Sequence, residues 1–88
     1  MSAIEARQAI ALAKAMAQEY YEDGRDFRLE EVRHEESAWY ITIGIVVRRE
    51  TNASDRLLAH LSPQVERIFK VFEFTDDGEF VQMSIRQQ

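Results

Sequence analysis

Few residues of this 88-residue chain stand at spacings that could do chemistry. His34-Glu35-Glu36-Ser37-Ala38 opens like the helix of a zinc protease, which needs a second histidine four positions after the first to close on the metal. Ala38 stands there instead, and the surrounding pattern is a strand and a turn, not a helix. Asp76-Asp77-Gly78-Glu79 has the acidity of a calcium loop but neither its alternating ligands nor its distal glutamate. Asp-Gly between two apolar runs is a hairpin signal, and a type I′ turn is expected. Glu30, Glu31, Glu35 and Glu36 gather carboxylates on one hairpin. Buried and close together, such a pair could move protons. Exposed at a turn, it reads as a solvated face, or as a mimic of nucleic-acid phosphates facing a basic partner. His60 is a lone loop histidine, expected in solvent. The sequence has no glycine-rich phosphate loop, nucleophile elbow or Cys/His pair. No catalytic residue, metal or cofactor is therefore expected.

The segment with the clearest capacity for contact is the irregular stretch 48–63. Arg48, Arg49 and Arg56 stand close in sequence to Leu57, Leu58 and Leu61. Ser54 could cap a short helix carrying the leucines, and Pro63 could then restart the chain. Arginine beside small apolar clusters is a common composition of interface hot spots. These six residues are the expected partner-binding set. The simpler alternative is a solvated connection with its leucines tucked against the sheet.

Composition narrows the function classes. Net charge is −5, with 11 Lys and Arg against 16 Asp and Glu, which disfavours a generic grip on nucleic-acid phosphates. There is no cysteine, so disulfide and thiolate chemistry are excluded and a reducing, cytoplasmic home is expected. Glu5 interrupts the N-terminus before any apolar run can form, so no signal peptide is expected there. The longest apolar run, Ile41 to Val47, is the length of a strand and too short for a membrane helix.

The elements that must position these residues come in an informative order: one helix, then strands to the end. Ser2 to Glu22 carries a helical period. Ala6, Ala9, Ile10, Ala13, Met16, Ala17 and Tyr20 share a face, and alanines let it lie close to a sheet. Ser2 and Glu5 have the spacing of a capping box, and Gly24 suits the C-terminal stop. Phe27 to His34 is a strand whose alternation slips, calling for a bulge near Glu30–Glu31. Trp39 to Val47 alternates Ile41, Ile43 and Ile45 against Tyr40, Thr42, Gly44 and Val46. Both faces are fairly apolar, as in a central strand. Gly44 in mid-strand suggests a bend or a close approach. Val65 to Phe74 and Phe80 to Ile85 flank the acidic turn. The expected fold is α+β: a single domain over 1–88, with one N-terminal helix packed on a four-stranded antiparallel sheet, α-β-β-β-β.

The helix, the strand Trp39-Tyr40-Ile41-Thr42-Ile43-Gly44 and the hairpin Phe69-Lys70-Val71-Phe72-Glu73-Phe74 through Asp76-Asp77-Gly78 to Met83-Ser84-Ile85 together resemble the cystatin-like group, in which a curved sheet grips one helix. PepSY-like small bacterial proteins and NTF2-like domains are similar in design. The Gln-x-Val-x-Gly loop with which cystatins plug proteases is absent. The resemblance implies a small non-catalytic, cytoplasmic protein-interaction module: regulatory, accessory or of the immunity type. Its partner would be a protein, itself or another, and not nucleic acid or a membrane. The alternative is an NTF2-like small-molecule-binding protein or enzyme with a pocket between helix and sheet. Trp39, Phe69, Phe72 and Phe74 are expected to fill that space.

Overall fold

The computed structural model describes residues 3–48 and 65–86. Its elements are α1 (Ala6–Tyr20), β1 (Arg25–Glu35), β2 (Ala38–Arg48), β3 (Val65–Thr75) and β4 (Phe80–Ile85). The strands form one antiparallel sheet in the order β1-β2-β3-β4, so the fold is the α+β arrangement that the sequence pattern predicts. No described helix is long and apolar enough to cross a membrane.

The helix is shorter than its period suggests. It begins at Ala6, and the capping box joins Glu5 to Gln8, one turn later than the Ser2–Glu5 pair predicts. The Glu5 N–H donates to Gln8 Oε1 at 2.7 Å, and the Glu5 carboxylate accepts from the Gln8 N–H. The helix ends at Tyr20 with Tyr21 as its cap, and Gly24 lies beyond, in a turn where its N–H donates to the Tyr21 carbonyl. A Cβ on Gly24 would stand 2.8 Å from Ile45 Cγ2, so glycine there serves close packing and not the helix stop.

Ala9, Ala13 and Ala17 have no solvent exposure and form the ridge that meets the sheet. Opposite them lie Ile41, Ile43 and Ile45 of β2 and Phe72 and Phe74 of β3, all buried. Alternation along β2 explains the choice: odd positions face the helix, even positions face away. The small ridge brings the helix backbone near the sheet, and the large side chains come from the strands. The helix is about 22 Å long by its rise per residue, whereas an 11-residue strand runs about 36 Å, so one helix covers part of one face.

β1 carries the bulge that its broken alternation demands. The register shifts between Leu29 and Glu31, leaving Glu30 as the extra residue, and shifts again between Arg25 and Arg28. Val32 then returns to the helix side opposite Ile41. The turns differ from expectation. In the Asp76–Gly78 turn only Gly78 has positive φ (+91°). The Gly78 N–H donates to the Thr75 carbonyl and the Thr75 N–H to the Glu79 carbonyl. This is a type I turn followed by a glycine bulge, a three-residue loop in place of a type I′ turn. The two-residue type I′ turn is at Glu36 (φ 48°) and Ser37 (φ 64°), between the paired Glu35 and Ala38.

Candidate functional site

The residues with chemical potential serve the architecture. His34, the first position of the protease-like stretch, stacks on its cross-strand partner Trp39 with ring centroids 4.3 Å apart. Its Nε2 lies 2.5 Å from Asp76 Oδ1. Asp76 also donates its N–H to the Ser37 carbonyl, and its own carbonyl accepts from the Ile4 N–H. One acidic turn residue thus ties together both hairpins and the start of the chain. This node joins positions 42 apart in sequence, a separation no local spacing can reveal. Among the described residues no group of three or more His, Cys, Asp or Glu side chains is placed to hold a metal.

The carboxylates around the first hairpin do not converge. Glu31 lies 4.0 Å from Arg33 and 3.7 Å from Arg86, and Glu35 lies 3.4 Å from Arg33. Glu36 is exposed in the turn. Arginines alternate with the glutamates, so the surface is mixed in sign rather than a run of negative charge.

The face away from the helix carries the residues best suited to contact. Register places Tyr40, Thr42, Gly44 and Val46 of β2 there, with Arg67, Phe69 and Val71 of β3 beside them. Tyr40, Val46, Phe69 and Val71 are half-buried. Phe69 therefore corrects the expectation that it fills the helix–sheet space: it pairs with Gly44, one step out of phase with Phe72 and Phe74. Gly44 leaves room for two neighbours. A Cβ there would stand 2.7 Å from Glu30 Oε1 and 3.3 Å from an Arg67 nitrogen. Thr42, at the centre, retains 2% exposure although it faces away from α1.

Charges frame this apolar strip in pairs. Arg67 donates to Asp26 Oδ2 at 2.6 Å and to the Asp26 carbonyl at 3.1 Å, and Arg28 donates to Asp26 Oδ1 at 3.0 Å. Hydrogen bonds from Arg28 and then Arg67 hold the Asp26 carboxyl below its ordinary range. Arg33 lies over the Tyr40 ring at 4.8 Å. Among the described residues of this face Arg25, Arg28, Arg33, Arg48, Arg67 and Arg86 stand against Asp26, Glu30, Glu31, Glu35 and Glu73, so the face is near balance although the chain as a whole is at −5.

Of the expected partner-binding set, Arg48 is placed at the exposed end of β2 on this same face. Arg49, Arg56, Leu57, Leu58 and Leu61 lie outside the described residues, as do His60 and Ser54. The layer between helix and sheet is filled by the alanine ridge and the buried Ile and Phe side chains. A cleft of about 550 Å³ lies at the other end of the sheet, bordered by Glu22–Arg25, Val46–Arg48 and Val65. No family model, curated protein or solved structure matches the chain, so its function is read from its own geometry.

Proposed function

We propose that this chain is a non-catalytic protein-interaction module of the cytoplasm, regulatory or accessory in role, which meets its partner with the sheet face opposite the helix. The observation that supports this reading is the make-up of that face. Tyr40, Val46, Phe69 and Val71 form an apolar strip left uncovered by α1 and framed by arginine–carboxylate pairs. Aromatic residues and arginine are enriched in protein interfaces and lysine is depleted. The two described lysines, Lys14 and Lys70, are both elsewhere: on the helix, and on the strand position that pairs with Ile43. Charges already paired within the chain cost less to desolvate on docking than lone ones. Near-balanced charge offers nucleic acid little net attraction.

Affinity capture from the source cells tests the reading, with the wild type and two face variants as bait. Phe69→Asp interrupts the strip and Arg33→Glu, at an exposed position, reverses a framing charge. A protein recovered by the wild type and lost from both variants, with unchanged circular dichroism, is the expected result. Equal recovery by all three baits overturns the reading.

A further inference from the structure

The two edges of the sheet differ in charge. An exposed edge strand is a template for another strand, and proteins blunt such edges with charges and bulges. β1 has both: Arg25, Asp26, Arg28, Glu30, Glu31, Arg33 and Glu35 along its length, and two register irregularities. β4, Phe80-Val81-Gln82-Met83-Ser84-Ile85, has no charge, proline or glycine, and its one register irregularity, with Val81 as the extra residue, lies at its start. Phe80 is 40% exposed, Val81 48% and Ile85 67%. Ladder geometry shows which backbone groups are free. The Arg86 N–H donates to the Phe69 carbonyl, so residues 86, 84 and 82 turn their hydrogen-bonding groups to β3. Met83 and Ile85, in the regular part of the ladder, turn theirs outward.

We infer that β4 pairs antiparallel with β4 of a second copy of this chain, across a two-fold axis at Met83, and so joins two sheets into one. A second copy fits for three reasons. Antiparallel pairing of a strand with itself is closed by a two-fold axis, so each copy presents the same groups. The register centred on Met83 sets Val81 against Ile85 of the partner strand twice, covering the two most exposed apolar side chains of the edge with each other. The charge-free edge also lets two chains of net charge −5 meet where no like charges oppose. Growth stops at the dimer because the outer edge of each sheet is then β1, charged and bulged. This contact uses different residues from the sheet face assigned above to a partner, and the two can fail independently.

Sedimentation equilibrium of the full chain from about 5 to 200 μM, with amide hydrogen exchange at both ends of that range, tests the inference. The wild type is expected to approach twice the 10.3 kDa chain mass, with the Met83 and Ile85 amides gaining protection as the dimer fills. Val81→Lys with Ile85→Lys sets like charges opposite in both cross-strand pairs at positions already open to solvent. The expected effect is a roughly 10- to 100-fold weaker dimer with unchanged circular dichroism. Ile85→Pro, which removes one outward N–H and adds no charge, should weaken it in the same direction. A wild type that stays monomeric at 200 μM overturns the inference while leaving the face reading intact. So does a dimer whose Met83 and Ile85 amides exchange freely, or one that the folded lysine variant forms equally well.

Discussion

Arg86, just past the last strand, reaches Glu31 on the first, with guanidinium and carboxylate 3.7 Å apart. Glu31 pairs with Thr42, Thr42 with Val71 and Val71 with Ser84, so the ion pair spans the two middle strands of the sheet. Thr42, at 2% exposure, is one of the residues this strap spans on the face opposite α1. The partners themselves are each more than 40% exposed, so water and salt screen them. Arg86→Ala is expected to cost under about 1 kcal/mol by urea denaturation. A loss above about 2 kcal/mol would show that the strap, rather than the ladder beneath it, holds the outer strands.

Ala13 tests the other face. It is fully buried at the middle of the alanine ridge, against the β2 isoleucines. Added methyl groups have no void to enter, so Ala13→Leu should cost roughly 1–3 kcal/mol. Unchanged stability by denaturant titration would place the close contact elsewhere on the helix.

Gly78 and Gly44 separate backbone need from space. At Gly78, φ is +91° and a Cβ would stand 3.2 Å from Ile4 Cγ2, so Gly78→Val combines strain with crowding and should cost about 1–3 kcal/mol. At Gly44 the nearest obstacles are the ends of Glu30 and Arg67, which can swing aside. Gly44→Ala should therefore cost less than Gly78→Val in parallel thermal melts. The reverse order would mean that the Glu30 position in the bulge is fixed.

Asp26 makes stability depend on pH at the acid end. Its folded carboxyl is held below the ordinary 3.8 by hydrogen bonds from Arg28 and Arg67. The unfolded chain then binds the proton more readily, so the contribution is present above the ordinary value and fades as pH falls through the folded one. Asp26→Asn keeps a residue type that tolerates the φ of 53° found here. The variant should be less stable than the wild type at pH 6, and the gap should narrow below about pH 4. A gap independent of pH would mean that the carboxylate charge is not what the two arginines hold.

Fold and site were unequally legible in the sequence. The alanine ridge, the bulge at Glu30 and the central place of β2 each leave a local periodic trace, and each is found where that trace puts it. The face of Phe69 does not, because an apolar run such as Ile68-Phe69-Lys70-Val71-Phe72 fits either phase, and only its register with Gly44 decides. The His34–Asp76 node and the Arg86–Glu31 strap join distant positions through topology, so charge types were visible but their pairing was not. Turn type failed for a subtler reason. Asp-Gly supports a positive-φ residue in two kinds of hairpin, and the Thr75–Glu79 pairing selected the three-residue one.

The type I′ turn instead falls on Glu36 and Ser37, two L-residues both in the left-handed region at φ 48° and 64°. Side chains crowd the backbone there, at about 1 kcal/mol or more for each residue. Asparagine and glycine are the pair that such turns favour. Glu36 is exposed and Ser37 lends only its carbonyl, to the Asp76 N–H, a bond that any residue can make. Glu36→Asn with Ser37→Gly should therefore stabilise the domain by roughly 1–2 kcal/mol without touching the core. The gain should appear as a higher urea midpoint with an unchanged slope, since the surface exposed on unfolding stays the same. An unchanged or lowered midpoint would mean that the strand ends and the Asp76 node, and not the turn residues, set the geometry of this hairpin.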